Sequence, residues 1–382
     1  MKSRLRSALL WITWGLRLAL LVWLLSSLVP PRARAILGEP QQVSTTKPKL
    51  CLHTRLIDEV YDWKIQRSLE MIRQMGASTI VEFFPWAYFE PSAGQFNWQR
   101  ADFIMRHAEN QGLRVLARMG FVPEWARPAS TGQISTFNSL PRQSYAAFGR
   151  FAAQFAVRYH HLLAGIILWN EPNLDYEWGY RPVSPAEYAE LLAVAAPLIR
   201  QAAPSVSILG GALAPTREPP GSPHGMDDLI YLEQMLEAGA AQHMDMLAVH
   251  TYGFTAPADE PPSPDRLNFR RVELLHAILQ RSAPLPIAIT ESGWNDHPRW
   301  TKAVSPSLRI QYTLDSLRLG ESWDWLRYHC LWVFRFPTPY YAYPDHFAMA
   351  TTLFQPLPIY YALRDYAQGQ PMSVVRWLPA PR

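Results

Sequence analysis

Eight times along this chain a short apolar run gives way to a segment with helical spacing. The apolar runs are residues 49–53, 78–84, 114–119, 165–170, 206–210, 244–250, 286–291 and 328–334. The helical segments are 59–74, 101–111, 144–160, one opening near Ser184-Pro185, 227–238, 267–281, 306–319 and 359–367. Runs this short, rich in Val, Ile and Leu, read as parallel strands buried on both faces. Ser184 and Pro185 have the form of an N-cap followed by proline at the first helical position. Eight strand–helix units at roughly 40-residue intervals predict an α/β protein of the (β/α)8 TIM-barrel kind, in a single domain. A doubly wound open sheet rarely has eight units and would more often show a Gly-rich first turn. The long connections all follow strands, at 121–140, 172–182, 213–225, 252–264 and 335–347. In a barrel these crowd at one mouth, where active sites lie.

Two of the strands end in glutamate. Residues 166–173 read Ile-Ile-Leu-Trp-Asn-Glu-Pro-Asn, and residues 285–294 read Leu-Pro-Ile-Ala-Ile-Thr-Glu-Ser-Gly-Trp. Pro172 cannot donate a ladder hydrogen bond, so the strand stops beside Glu171. A carboxylate at the end of a buried strand is costly unless hydrogen-bonded or put to use. Glu171 and Glu291, each ending a strand of one parallel barrel, form the constellation of a glycosidase. One carboxyl protonates the leaving oxygen and the other attacks the sugar. Two capping or ion-paired glutamates are the plainer alternative.

Charge and cysteine content narrow the class. The chain has 382 residues, 48% hydrophobic and 18% charged, with a net charge of +4. Residues 1–35 hold six of the basic residues and no acid, which leaves 30 bases against 32 acids in the remainder. The basic balance belongs to the leader, so it predicts no nucleic-acid partner. Lys2, Arg4 and Arg6 precede an uncharged run at 18–29, and Ala33-Arg34-Ala35 has the form of a cleavage site. Residues 1–35 therefore read as a signal peptide, or as a membrane anchor if residues 8–29 span a bilayer with Arg17 snorkelling. Either predicts a protein secreted or anchored facing outside the cytoplasm. Residues 36–49 read as a linker, 50–368 as the barrel and 369–382 as a C-terminal tail. Cys51 and Cys330 make no disulfide scaffold. They fall on strands one and eight, the neighbours that close a barrel, and are expected as buried thiols in contact. No metal-ligand spacing and no phosphate loop occurs, so neither metal nor cofactor is predicted.

The chain resembles the clan A glycoside hydrolases, particularly the cellulase-like and β-xylosidase-like barrels of families 5 and 39. The resemblance rests on Trp169-Asn170-Glu171-Pro172 and Thr290-Glu291-Ser292-Gly293-Trp294. It extends to Phe89-Glu90-Pro91, Gly94-Gln95-Phe96-Asn97-Trp98, Asp102 and Pro123-Glu124-Trp125-Ala126. It implies Glu171 as acid/base, with the raised pKa that role needs. It implies Glu291 as nucleophile, and Asn170 as partner of the sugar 2-hydroxyl. His250 and Tyr252 close strand six, where the resemblance implies an aromatic donor against the nucleophile. Trp332 in strand eight would lie under the sugar, and His53 at the end of strand one would bind a hydroxyl. Trp178 and Trp294, with Trp86 and Trp125, are further candidate stacking platforms. The clan commonly carries an arginine at the end of strand two, which is missing here. Arg118 on strand three is the expected stand-in, paired with Glu82. The reading is a monomeric retaining hydrolase of β-linked polysaccharide or oligosaccharide, working from an open aromatic cleft. A barrel that binds carbohydrate without cleaving it, and a transglycosylase, are the alternatives.

Overall fold

The computed structural model describes residues 11–21, 35–127 and 136–371. The chain divides into two units, Met1–Ile36 and Leu37–Arg382. In the first, residues 11–21 are helical. The leader's uncharged run, its cleavage site and its bilayer span fall largely outside the described residues. So does most of the tail, and so do residues 128–135 of the loop after strand three. Among the described residues no helix is long and apolar enough to cross a membrane.

The second unit is a closed barrel of eight parallel strands in sequential order. The strands are β1 (Leu50–His53), β2 (Thr79–Pro85), β3 (Arg114–Gly120), β4 (Leu163–Leu168), β5 (Ile208–Leu213), β6 (Met246–Tyr252), β7 (Ile287–Gly293) and β8 (Leu326–Leu331). Between them run α1 (Asp62–Met75), the short α2 (Trp86–Phe89), α3 (Gln99–Asn110), α4 (Tyr145–Tyr159), α5 (Pro185–Ala202), α6 (Asp228–Glu237), α7 (Arg271–Ser282) and α8 (Pro306–Ser322), with α9 (Pro358–Ala367) closing the ring. Every position of β2 and of β7 is buried, as strands covered on both faces must be. The Ser184 hydroxyl accepts the Glu187 amide at 3.2 Å and so caps α5 as expected.

Two apolar layers result. Large side chains fill the space between strands and helices. Cys51, Val81, Leu116, Ile167, Leu209, Met246, Ala288 and Cys330 fill the lumen, which is a packed core rather than a pore. Strand eight ends earlier than the sequence indicated, so Trp332 stands one residue beyond it. The Trp332–Val333 peptide is cis.

Two expectations need correction. Cys51 and Cys330 are disulfide-bonded rather than free thiols. The β1–β8 register makes them direct partners, with Cα atoms 4.1 Å apart, well inside the roughly 7 Å beyond which two cysteines cannot be bridged. The stretch 36–49 is not a free linker either. Gln41 N–H donates to Asn110 O at 2.7 Å, Thr46 N–H to Ala367 O at 2.7 Å, and the Asn110 side chain to Gly38 O at 2.7 Å. From residue 38 onward this segment is strapped across the end of the barrel where the strands begin.

Candidate active site

Beyond β4 the chain leaves ordinary strand geometry. Trp169 has φ +80° and Glu171 φ +43°, a region that L side chains rarely adopt. Glu171 also precedes proline, which favours an extended residue before it. Such backbone costs on the order of 1–3 kcal/mol and persists only where its surroundings enforce it. Here the Glu171 amide donates to Ala212 O at 3.0 Å. The buried Asn173 side chain bonds Ala214 through both its amide atoms, and also Met226 O. The Tyr188 hydroxyl donates to Leu168 O at 2.7 Å and accepts from Gly211 N at 2.8 Å. The end of β4 is thereby tied to β5 and α5.

A bulge sets the second glutamate. Ala288 faces the lumen, and simple alternation would put Thr290 there and turn Glu291 outward. The β6–β7 register steps from Val249↔Ile289 to His250↔Glu291 and leaves Thr290 out. Glu291 is thereby re-aimed to the lumen side, a known use of bulges beside active sites.

Glu171 and Glu291 meet around His250. The His250 Nδ1 lies 2.8 Å from Glu171 Oε1 and 3.7 Å from Glu291 Oε2. These three residues each offer an atom, all within 4.8 Å of one another. Glu291 accepts from Arg118 Nη1 at 3.0 Å on one oxygen and from the Tyr252 hydroxyl at 2.9 Å on the other. The same Arg118 nitrogen donates to Asn170 Oδ1 at 2.7 Å. His53 Nδ1 lies 3.0 Å from the Thr54 carbonyl, which can only accept. The Nε2 faces Glu291 Oε1 at 3.4 Å. The His53 ring sits 4.4 Å from the Trp332 indole, edge to face, and Trp332 is half-buried at the floor.

The electrostatics follow from burial and from these contacts. Burial, helped by Arg118, holds the His53 pKa well below the usual imidazole value, so the ring is neutral. Burial pulls His250 the same way, but the Glu291 charge and the bond to Glu171 outweigh it and the net shift is upward. Burial and the neighbouring Glu291 push Tyr252 well above the usual phenol value, so it remains a donor. Glu171, His250 and Glu291 are the one group of three candidate metal ligands among the described residues. The Arg118 guanidinium already occupies the electrostatic place beside Glu291 that a cation would take.

The structure brings together Glu171, Glu291, Asn170, His250, Tyr252, His53 and Trp332, and separates the other candidates from them. Trp178 and Trp294 are fully buried and are core residues rather than platforms. Trp178 packs edge-on against Trp169 and Tyr188. The Trp294 indole lies against Gly253, where any Cβ would clash, and donates to Ala256 O at 2.8 Å. Trp86 is buried against Phe151 and donates to Glu90 at 2.6 Å. Trp125, by contrast, is exposed at the rim, where its ring N–H reaches Glu90 O. Tyr176, Tyr340 and Tyr341 are also exposed. Arg118 does not pair with Glu82, since the two point to opposite faces of the sheet. Glu82 instead accepts from the Thr54 hydroxyl and the Leu56 and Ile57 amides.

One participant went unread in the sequence. Glu177, in the loop after β4, lines a cavity of about 160 Å³ together with Asn170, Arg118, Trp169, Phe121 and Tyr88. Its carboxyl accepts from Asn138 Nδ2 at 3.2 Å. Nothing in a loop sequence marks such a residue, whose position depends on how the loop folds back.

No protein-family model matches the sequence, and no curated protein does. Solved structures match in fold. A family 39 glycoside hydrolase from the gut symbiont Bacteroides cellulosilyticus WH2 aligns with a TM-score of 0.66 at 19% identity. The match covers 86% of this chain and 65% of that one, so the chain spans about two thirds of that relative's length. Its structural neighbours are clan A glycoside hydrolases. A monomeric β-xylosidase from Caulobacter crescentus CB15 aligns with a TM-score of 0.58 at 19% identity, over 85% of this chain and 69% of that one. An exo-β-1,4-mannosidase, Op5Man5, from Opitutaceae bacterium strain TAV5 aligns with a TM-score of 0.60 at 17% identity, over 88% and 62%. What is shared at these identities is the eight-stranded barrel.

Proposed function

We propose that this chain is a retaining glycoside hydrolase. It cleaves O-glycosidic bonds of a β-linked polysaccharide or oligosaccharide by double displacement, outside the cytoplasm. The observation that carries the reading is the separation of the two glutamates, whose nearest candidate ligand atoms lie within 4.8 Å. Retaining enzymes hold their carboxyl groups about 5–5.5 Å apart, whereas inverting ones leave about 6.5–9.5 Å for a water. Glu291, oriented by Arg118 and Tyr252, attacks the anomeric carbon. Glu171 gives its proton to the leaving oxygen, then takes one from the water that releases the glycosyl-enzyme. The Asn170 amide bonds the 2-hydroxyl, and Trp332 offers its face to the C–H side of the ring. The basic leader and the disulfide both favour an oxidising compartment.

Kinetics with aryl β-glycosides test this. Glu291→Gln should abolish turnover. Glu171→Ala should slow the first step most for poor leaving groups, and azide should partly rescue breakdown of the glycosyl-enzyme, giving a glycosyl azide of retained configuration. An initial product of inverted configuration, seen by NMR, would remove the nucleophile role from Glu291. Near-wild-type activity in both variants would sink the enzymatic reading and leave a carbohydrate-binding barrel. A transglycosylase would reveal itself by transfer to an added acceptor sugar.

A further inference from the structure

The cavity of about 160 Å³ adjoins the catalytic pair, and the steps proposed above make no use of it. Asn170 and Arg118, bonded to each other at 2.7 Å, line it where it meets the site. Phe83 on β2 and Phe121 after β3 line it too, their rings edge to face with centroids 4.8 Å apart. Glu177 and the Arg55–Asp58 ion pair bring charged groups to it. The volume has room for several waters, and so for one sugar unit rather than a chain.

The aromatic wall is held by design of the backbone. Phe121 has φ +56°, a region that bulky side chains rarely adopt. The Ala87 amide donates to Phe121 O at 2.8 Å, and the Val122 amide to Phe137 O at 2.6 Å. Phe137 stacks on Phe121 with ring centroids 5.3 Å apart. Strain of this kind clusters at ligand sites, where it fixes a side chain in place. A ring so fixed can offer its face to the C–H side of a sugar. Arg55 can donate to sugar hydroxyls, and Asp58 and Glu177 can accept from them.

The position of the cavity decides what it can hold. In the proposed reaction the anomeric carbon lies between Glu171 and Glu291, and the leaving group departs toward Glu171. Asn170 marks the 2-hydroxyl. Among the described residues, none of Glu171, His250, Glu291 and Trp332 lines the cavity. It therefore opens off the edge of the ring that runs from the second carbon to the third. The 2-oxygen is engaged by Asn170, so the 3-oxygen is the next attachment point on that edge. The 4-oxygen lies across the ring from the anomeric carbon, and a unit joined there leaves in another direction. We propose that the cavity receives a sugar unit joined to the 3-oxygen of the reacting sugar, so that the substrate is a glycan whose cleaved unit carries a 1,3-linked neighbour. This rests on the glycosidase reading above, with Asn170 on the 2-hydroxyl.

Matched aryl β-glycosides test it. The enzyme is given aryl glucosides, galactosides, mannosides and xylosides, each as the monosaccharide and as the 1,3- and 1,4-linked disaccharide, and release of the aryl group is followed. In the series that is turned over, kcat/KM should be about 10–100-fold higher for the 1,3-linked disaccharide than for the monosaccharide, because contacts remote from the reacting carbon then contribute. The 1,4-linked isomer should gain little. Equal rates on the two linkages, or a preference for the 1,4-linked one, overturn the proposal and leave the glycosidase reading standing. Inactivity on every compound overturns both. Phe121→Ala should shrink the ratio between 1,3- and 1,4-linked substrates toward one, whereas a merely structural role would lower both rates alike and keep the ratio. Tyr88 lines the same cavity from an exposed position on α2, so Tyr88→Ala supplies the same reading where the Phe121 variant fails to fold. A ratio unchanged by these substitutions rejects the cavity as the source of the preference.

Discussion

At the scale of single residues, Glu177 also links the site to stability. Its folded pKa, about 7, is raised above its ordinary value. Between those values the native state keeps a proton that the unfolded chain has released, so stability falls as pH rises across that window. Glu177→Gln removes the ionisation without removing the shape. Its melting temperature should match the wild type near pH 4.5 and exceed it increasingly toward pH 8. A gap that is constant with pH would refute the assignment of the proton. The residues legible in the sequence were those whose neighbours along the chain declare them. Glu171 and Glu291 each end an apolar run, and a buried carboxylate there demands a reason. The indoles of Trp178 and Trp294 carry no such declaration. A tryptophan after a strand looks the same whether it faces sugar or core, and only the tertiary partners Tyr188 and Gly253 decide. Arg118 was legible as a stand-in for the missing arginine, but its partner was not. Glu82 is near it in the sheet yet belongs to the opposite face.

At the scale of elements, the alternation of apolar runs and helical segments was enough to order all eight strands. Ends were less legible. β8 was placed two residues late, and the β7 bulge at Thr290 left no trace in the sequence, although it decides where Glu291 points. Helix packing offers a test in which two effects compete. Gly149 lies inside α4, where glycine costs roughly 1 kcal/mol relative to alanine in an exposed helix. A Cβ at Gly149, however, would meet Ala195 Cα and Leu198 on α5 at 2.9 Å. The first of these is backbone and cannot swing aside. Overpacking costs typically about 1–3 kcal/mol, so Gly149→Ala should be destabilising on balance. Denaturant unfolding that shows a gain of stability would mean that α4 and α5 are further apart than described. The cap at Ser184 is a simpler case: Ser184→Ala should cost about 1 kcal/mol by the same measurement.

At the scale of the whole molecule, the barrel closes where its shortest strand, the four-residue β1, meets β8. The Cys51–Cys330 bond staples that seam across a sequence separation of 279 residues, one layer beneath His53 and Trp332. Constraining so long a loop in the unfolded chain is worth about 2–4 kcal/mol in typical measurements. The double variant Cys51→Ser, Cys330→Ser should lose about that much, read by chemical unfolding without reductant. The wild type in reductant should lose the same, and unchanged stability in both would mean that the bond does not form.

The strap of residues 38–48 has a consequence for access. It runs along the end of the barrel where strands begin, and the chain enters β1 from there. Glu171 and Glu291 open at the other end. Anything joined ahead of the strap therefore reaches the barrel from behind, and no part of it has to pass the doorway. A bead, a sensor chip or a fused protein attached by that route leaves the doorway clear, even for a ligand as long and stiff as a polysaccharide.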